Sequence, residues 1–211
     1  MSEWKEKLGA RRTASEMRVT TVPLVEVGGG WGMQEDGSFR RSDNKFFHMS
    51  GLSIQAKREV PAWGQPALTE MGSGVYVLVT DEACSRFLVS MRQEPGNPSK
   101  KGHILLGPPL QSSKSNYEAA HGGKKPPRSE FYEDGRMVWL DAPKDGGRFV
   151  TTETNCNRLG ILTLPREEFD ALVPTGDELV MTRDELKEAL LTGECNAYLR
   201  ESVGVAILLA S

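Results

Sequence analysis

Two apolar segments separated by a short polar loop constrain this fold more than any other feature of the chain. Residues 75–80 read Val-Tyr-Val-Leu-Val-Thr and residues 86–91 read Arg-Phe-Leu-Val-Ser-Met, with a five-residue loop at 81–85 between them. Segments rich in β-branched and aromatic residues favour strands, and a loop of this length joins an antiparallel pair. The core is therefore expected to be a sheet that contains this hairpin.

Further strands and helices are predicted around the hairpin. The other strand candidates are residues 46–59, 104–106, 137–140, 148–153 and 158–164. Pro109 and Gly122 bound a predicted helix at 111–121, Thr182 begins a capping-box pattern, and residues 196–209 are predicted to form a terminal helix. The predicted class is α+β, a mixed or antiparallel sheet with helices packed against it.

The length of 211 residues suits one domain. The first dozen residues are polar and lack periodicity, which favours a loose or partner-docked arm, and glycines at 28–30 mark an irregular loop. We therefore expect an N-terminal arm and loop at residues 1–40 and a single domain at residues 41–211.

Charge and composition argue against several classes of protein. Lys and Arg number 26 against 29 Asp and Glu, and this net charge of -3 does not suit a nucleic-acid binder. The longest apolar run, residues 203–210, is too short to span a membrane, and the N-terminus lacks the apolar region of a signal peptide. Three cysteines without Cys-x-x-Cys spacing favour neither a disulfide framework nor a zinc site. We expect a soluble, cytoplasmic protein with no nucleic-acid or membrane partner.

The densest polar segment lies between residues 94 and 123. On the helix predicted at 111–121, Lys114, Tyr117 and His121 are spaced by three and four residues and therefore share a face. Such a face would supply an acid, a base and a phosphate contact. The alternative is that Tyr117 and His121 are half-buried helix residues satisfied by loop backbone, and spacing alone leaves both open.

Six motifs occur along the chain in a fixed order: Trp-Gly-Gln-Pro at 63–66, Glu-Pro-Gly-Asn at 94–97, Gly-Pro-Pro-Leu-Gln at 107–111, Ser-Asn-Tyr at 115–117, His-Gly-Gly at 121–123 and Asn-Cys-Asn-Arg at 155–158. This order resembles that of the NDP-4-keto-6-deoxyhexose 2,3-dehydratases of deoxysugar biosynthesis. The resemblance implies a fold similar to the Nudix fold but without the Nudix box, and residues 111–121 accordingly hold one carboxylate, Glu118.

The chain also departs from the family pattern. Family members carry two tandem copies of this unit, whereas this sequence has one. The Ser-Pro-Thr of the family loop is Gly107-Pro108-Pro109 here, which removes two hydroxyls, and the family's Asp in Trp-Asp-Gln-Pro is Gly64. A unit that is buried against its copy in the tandem proteins is expected to keep an apolar face, so we expect a C2 homodimer.

The resemblance implies an elimination that needs no cofactor and no metal. A ketone at C4 of the sugar acidifies the hydrogen on C3, and the hydroxyl on C2 then leaves, so the reaction needs one base and one acid. The resemblance implies Tyr117 and His121 as the acid/base pair, with Glu94 orienting the substrate or acting as the base.

Ten further residues are implied to bind the nucleotide-sugar or other small-molecule substrate. Gln111 and Asn116 would hold sugar hydroxyls or the ketone, Arg92 and Lys114 the diphosphate, and Trp63 would stack on the nucleobase. The remaining five are Gln65, Asn97, Ser115, Asn155 and Arg158. Gln65 equally fits a turn, and Asn155 and Arg158 equally fit a strand end.

Three functional hypotheses follow. The first is a single-unit sugar-nucleotide 2,3-dehydratase, a carbon–oxygen lyase of natural-product (antibiotic) biosynthesis that acts as a homodimer. The second is an enzyme of the same fold recruited to a metal-free dehydration, isomerisation or cyclisation of another intermediate, which the lost loop hydroxyls favour over a strict dehydratase. The third, a non-catalytic nucleotide-sugar-binding protein, is disfavoured because Glu94, Tyr117 and His121 are all present.

Overall fold

The computed structural model describes residues 2–70, 72–120, 122–150 and 156–210. Its strands form two sheets. The first consists of β1 (Trp31–Met33), β2 (Phe39–Arg41), β3 (His48–Gln55) and β4 (Ala62–Thr69), in that order. The second consists of β5 (Val75–Asp81), β6 (Arg86–Gln93), β7 (Ile104–Gly107), β8 (Leu110–Ser112), β9 (Val138–Ala142), β10 (Asn157–Leu164) and β11 (Glu178–Thr182).

The seven-stranded sheet is mixed. Its main order is β11-β6-β5-β10-β9, with β7 added to β6 and β8 added to β5. Strands β5 and β10 run parallel, and the other pairs are antiparallel. Every residue of β5 is buried, which is the pattern of a strand covered on both faces.

Helices and loops cover the two faces of this sheet. The helices are α1 (Glu3–Thr13), α2 (Lys114–Tyr117), α3 (Arg166–Asp170), α4 (Arg183–Leu191) and α5 (Ala197–Leu209). Alternate β5 residues enter opposite cores: Tyr76 packs with buried residues of α1, α4 and α5, whereas Val77 packs with Phe169 of α3. The expected α+β class, a mixed sheet flanked by helices, is confirmed. None of the helices in the described ranges is both long and apolar enough to cross a membrane.

Residues 3–13 form a helix that packs on the core, so the expected loose arm is wrong for this segment. Trp4 and Leu8 of α1 are buried, and Arg12 donates to the backbone oxygen of Ile104 and pairs with Glu194. The burial of two apolar side chains outweighs the weak local pattern, because helical stability in proteins comes mostly from packing. The expected boundary between residues 40 and 41 also falls inside β2.

Several local predictions are confirmed. Strands β5 and β6 form the predicted hairpin, and Asp81 in its loop accepts hydrogen bonds from the backbone N–H groups of Ser85 and Arg86. Thr182 and Glu185 form the predicted capping box at the start of α4. The predicted terminal helix is α5.

The helix predicted at 111–121 is wrong over most of its length. Leu110–Ser112 is strand β8, which pairs with β5, and the helix is reduced to the single turn of α2. The Ser113 side chain caps this turn by accepting from the N–H of Asn116, and Ala119 adopts a left-handed φ of 53° that ends it. His121 lies outside the described residues, so its expected shared face with Lys114 and Tyr117 stays a prediction.

Candidate active site

A polar cleft opens where the central hairpin of the large sheet separates. Strands β5 and β6 pair directly only at Val79↔Leu88 and Thr80↔Phe87. Beyond that point β7 continues on β6 and β8 continues on β5. Pro108 and Pro109 lie at the crossing between β7 and β8 and have no N–H to continue either ladder. The cleft has a volume of about 170 Å³, and its polar lining includes Glu70, Arg92, Glu94, Gln111, Asn116, Asn157 and Tyr198.

One oxygen of the Glu94 carboxylate is held by two donors. Gln111 donates from Nε2 to Oε1 of Glu94 at 2.8 Å, and Arg92 donates from Nε to the same oxygen at 3.3 Å. Arg92 also donates from Nη2 to the backbone oxygen of Gln111 at 2.9 Å, which ties β6 to β8. Among the described residues, none donates to Oε2 of Glu94. The arrangement therefore leaves Oε2 as the carboxylate atom that can accept a ligand's hydrogen bond or proton.

The turn after β6 fixes the backbone of Glu94. Its N–H donates to the backbone oxygen of His103 at 2.9 Å, and its carbonyl accepts from the N–H of Asn97 at 3.0 Å. The Asn97 side chain donates to the backbone oxygens of Arg92 and His103. Asn97, expected to bind substrate, thus faces the backbone of its own turn and supports Glu94.

Helix α5 brings a tyrosine into the same cleft. The ring of Tyr198 lies 4.9 Å from that of Tyr76, centroid to centroid, and Tyr76 donates from its hydroxyl to Glu201 at 2.7 Å. Burial and the neighbouring carboxylates of Glu70 and Glu94 raise the pKa of Tyr198 above its usual value, against a smaller opposing effect of Asn157. Tyr198 is therefore a protonated hydroxyl near Glu94, which is the form required of a general acid.

A second cavity of about 410 Å³ adjoins the first through Gly74 and Val75, which line both. Lys114, Tyr117 and Arg158 line it. The Arg158 guanidinium lies 4.5 Å from the centroid of the Trp139 ring, and the Tyr117 and Tyr132 rings lie 5.1 Å apart. Burial and the charge of Glu133 raise the pKa of Tyr117. This cavity combines two cations with aromatic rings, which suits a phosphate joined to a planar group.

Glycines at 72 and 74 allow the two cavities to meet. A Cβ atom at Gly74 would lie 2.6 Å from Oδ1 of Asn157, and a Cβ at Gly72 would lie 2.5 Å from Cδ of Lys114. Gly72 also has a φ of +94°, which L side chains rarely adopt. Any larger residue at either position would displace a side chain that lines one of the two cavities, Lys114 at position 72 or Asn157 at position 74.

The structure brings most of the predicted site residues together, in two groups. Arg92, Glu94, Gln111 and Asn116 line the first cavity, whereas Lys114, Tyr117 and Arg158 line the second. Ser115 lines a neighbouring cavity with Lys114, Asn116, Phe46 and Phe47.

Trp63 and Gln65 lie apart from these cavities, on β4 of the four-stranded sheet. Trp63 donates from its indole to Gln65 at 2.9 Å, and Gln65 donates to the backbone oxygen of Gly147 at 2.9 Å. Arg58 lies over the Trp63 ring. The structure thus occupies Gln65 in bonds within the protein. His121 and Asn155 lie outside the described residues.

The sequence reasoning missed four residues that line or support the cleft: Glu70, Asn157, Asn196 and Tyr198. Asn157 belongs to the Asn-Cys-Asn-Arg motif at 155–158, so the motif could have predicted it as a site residue. Glu70 and the two α5 residues carry no local signal, because only the packing of distant elements brings them to the cleft. In the described part of the chain, no three His, Cys, Asp or Glu side chains gather in a way that could hold a metal ion.

The family model and the similar proteins of known function are all 2,3-dehydratases of nucleotide-linked hexoses. A model of the NDP-hexose 2,3-dehydratase family matches residues 1–195. The chain is similar to dTDP-4-dehydro-6-deoxy-alpha-D-glucopyranose 2,3-dehydratases from Streptomyces violaceoruber (32% identity, 64% of this chain and 31% of that protein) and Amycolatopsis orientalis (26% identity, 59% and 28%). A third such enzyme, from Saccharopolyspora spinosa, is 30% identical over 43% of this chain and 19% of its own length. Each match covers less than a third of the relative.

Among solved structures, an ADP compounds hydrolase is similar over 77% of this chain and 85% of its own, with a TM-score of 0.43 and 9% identity.

Proposed function

Because this chain belongs to the NDP-hexose 2,3-dehydratase family, we propose that it is a lyase that eliminates water across C2 and C3 of an NDP-4-keto-6-deoxyhexose. The observation that carries the proposal is the cleft at Glu94, whose Oε1 is held by Gln111 and Arg92. A carboxylate with one oxygen fixed and the other available is suited to abstract a proton that a neighbouring ketone has acidified.

The proposed step transfers one proton to the protein and returns one to the leaving group. Oε2 of Glu94 takes the proton from C3, the C3–H electron pair forms the C2=C3 double bond, and the C2–O bond breaks as the hydroxyl leaves protonated, as water. The immediate product is an enol that tautomerises to a 3,4-diketone. The atoms and charges balance with one base and one acid, so the step itself requires no redox partner.

For the acid, we favour Tyr198 over Tyr117. Tyr198 shares the cleft with Glu94, whereas Tyr117 lines the adjoining cavity beside Arg158. A donor for the C2 oxygen must lie within reach of the same sugar ring as the base, which favours two groups in one cleft. His121 remains a second proposed acid/base residue.

We propose that the sugar occupies the first cavity and the diphosphate with its nucleoside the second. Asn116 and Asn157 are suited to hold sugar hydroxyls, and Lys114 and Arg158 to bind the diphosphate. This reassigns Arg92, whose guanidinium is engaged with Glu94 and the backbone of Gln111, from the diphosphate to the support of the base.

The proposal includes a homodimer. Exposed apolar side chains at Leu24, Val25, Met33 and Phe47 lie before or within the segment that forms the four-stranded sheet, and a second copy would cover them. Analytical ultracentrifugation at micromolar concentration tests it, and a monomer throughout that range argues against it. A cytoplasmic setting is also proposed, consistent with the buried thiols of Cys84 and Cys195.

One observation favours the second hypothesis, a recruited enzyme with another substrate. The loop at Gly107 has no hydroxyl to offer a sugar, and a Cβ at Gly107 would lie 2.5 Å from Cδ of Arg92. The absence of a side chain at Gly107 therefore leaves room for Arg92, which supports Glu94. A substrate with fewer hydroxyls would lose no contact at this position.

Two measurements on the purified protein distinguish the hypotheses: the thermal shift with dTDP, UDP or dTDP-4-keto-6-deoxyglucose, and the turnover of dTDP-4-keto-6-deoxyglucose. Binding to the native state raises its melting temperature, so a shift with nucleotide supports the second cavity as a nucleotide site. Turnover is followed by trapping the diketone with an NADPH-dependent ketoreductase. Turnover that is lost in Glu94→Gln supports the dehydratase. A thermal shift without turnover supports a binding protein, and neither shift nor turnover supports a recruited enzyme.

A further inference from the structure

The N-cap residue of the terminal helix is linked to the proposed base through the side chain of Gln111. Asn196 is the N-cap of α5, and its Oδ1 accepts from the backbone N–H of Leu199 at 2.9 Å. Its Nδ2 donates to Oε1 of Gln111 at 2.9 Å. Gln111 in turn donates from Nε2 to Glu94. Asn196 lies directly after the stretch that the family model matches.

The helix cap sets the donor and the acceptor of each hydrogen bond from Leu199 through Asn196 and Gln111 to Glu94. A backbone N–H can only donate, so the amide oxygen of Asn196 must face Leu199 and its NH₂ must face Gln111. The oxygen of the Gln111 amide is then the acceptor, and its NH₂ is left facing Glu94. An amide reversed at either residue would place two donors or two acceptors together, which costs free energy in a buried site.

The surroundings of Asn196 hold it in place. Only 7% of its surface is exposed, and its backbone N–H donates to the backbone oxygen of Leu106 at 2.8 Å. A Cβ at Gly107 would lie 2.9 Å from Nδ2 of Asn196, so the glycine allows this close approach. The start of α5 is thus attached to β7 beside the cleft.

We propose that Asn196 is a positioning residue that acts on Glu94 through Gln111. It orients the Gln111 amide so that an N–H, rather than a carbonyl oxygen, faces Oε1 of Glu94, which keeps that oxygen occupied and directs Oε2 to the substrate. The inference rests on the proposed function, in which Glu94 is the base.

The decisive variant is Asn196→Asp. Aspartate is as good an N-cap as asparagine, so α5 keeps its cap. The new carboxylate has no N–H for Gln111, and the Gln111 amide must reverse to donate to it, which turns a carbonyl oxygen toward Glu94. We expect kcat to fall about 10- to 100-fold with little change in KM. Thr182→Asp, a replacement at the N-cap of α4, is the matched control and is expected to leave kcat unchanged.

A second measurement does not depend on turnover. In protein labelled with ¹⁵N-glutamine, the side-chain NH₂ resonance of Gln111 is assigned by its loss in Gln111→Leu. We expect Glu94→Gln to shift this resonance in the wild-type background and to leave it unchanged in the Asn196→Asp background. If the Gln111 resonance responds to Glu94→Gln equally in both backgrounds, the inference is wrong.

The two measurements separate this inference from the proposed function. If the wild-type protein shows no turnover of the nucleotide sugar, the proposed function fails and the NMR comparison still decides the orienting role of Asn196. If wild type turns over and Asn196→Asp retains its full kcat, the positioning role is overturned. A double-mutant comparison gives a further check. Asn196→Asp should lower kcat by a smaller factor in a Glu94→Gln background than in wild type. A purely structural effect of Asn196→Asp would lower kcat by the same factor in both backgrounds.

Discussion

Gln111 on β8 and Glu94, directly after β6, meet through a 2.8 Å hydrogen bond from Nε2 to Oε1, although 17 positions separate them in the chain. The contact exists because the segment after β7 crosses from β6 to β5 at Pro108 and Pro109. The same crossing opens the cleft. The crossing of this segment from β6 to β5 therefore both opens the cleft and places Gln111 where it can hold the Glu94 carboxylate.

Glu94→Gln tests the base. The amide keeps the shape of the side chain but cannot accept a proton from C3, so kcat should fall by about 10²- to 10⁴-fold while the melting temperature changes little. Turnover with a coupled ketoreductase measures the effect. The control is Glu82→Gln, an exposed carboxylate in the loop between β5 and β6, for which full activity is expected. Equal losses in the two variants would remove Glu94 from the mechanism.

Tyr198→Phe and Tyr117→Phe decide which tyrosine donates the proton. We expect a loss of about 10²-fold or more in kcat for Tyr198→Phe and a change mainly in KM for Tyr117→Phe. The reverse result would move the acid to the second cavity. Because the pKa of Tyr198 is raised above its usual value of about 10, loss of its proton should not limit the rate below about pH 10. A rate profile across the alkaline range measures this.

Gly107→Ala should disturb the support of Glu94. The new Cβ would overlap Cδ of Arg92 and approach Nδ2 of Asn196, so both side chains must move. We expect a loss of about 1–3 kcal/mol in the free energy of unfolding and about tenfold or more in kcat. Gly96→Ala is the matched control, since nothing lies within 4 Å of a Cβ there. An active, stable Gly107→Ala protein would mean that the contacts of Arg92 and Asn196 adjust without consequence.

The N-terminal helix is predicted to be part of the folded core. Trp4 is 4% exposed, and Trp4→Ala should lower the free energy of unfolding by about 3–5 kcal/mol. Urea denaturation followed by circular dichroism measures the change. Lys7→Ala, which removes only a surface pair with Glu3, should change stability by about 0.5 kcal/mol or less. A small effect of Trp4→Ala would indicate that α1 is not needed for folding.

Acid should weaken the contact between the loop before β9 and strand β11. Burial opposes the ionisation of Glu178, but hydrogen bonds from Arg128 and Thr175 outweigh it and lower the pKa of Glu178 below its usual value. A lowered pKa in the folded state contributes stability above the unfolded pKa of about 4.3, and this contribution is lost as the pH falls through the folded value.

Urea unfolding between about pH 3 and pH 7 measures this dependence. Glu178→Gln should be less stable at neutral pH, because Arg128 loses its buried carboxylate partner, and its stability should fall less on acidification. Glu82→Gln, at an exposed position between β5 and β6, is the control. An identical pH dependence in wild type and Glu178→Gln would exclude Glu178 as the group responsible.

Local patterns sufficed for much of the architecture. The hairpin of β5 and β6, the capping box at Thr182 and helix α5 were predictable because each depends on residues close in sequence. The order of the motifs identified the family, and the structure places Arg92, Glu94, Gln111 and Asn116 of those motifs and their neighbours around one cleft.

The arrangement of the cleft depends on contacts between distant segments, which no local pattern encodes. Residues 111–112 have helix-like boundaries, yet they form a strand because β5 offers unpaired backbone groups beside them. Asn196 and Tyr198 reach Glu94 because α5 packs across the sheet, and α1 is ordered because Trp4 and Leu8 are buried. The free energy of these long-range contacts outweighs the small differences in local propensity, so tertiary packing selects which distant side chains surround Glu94.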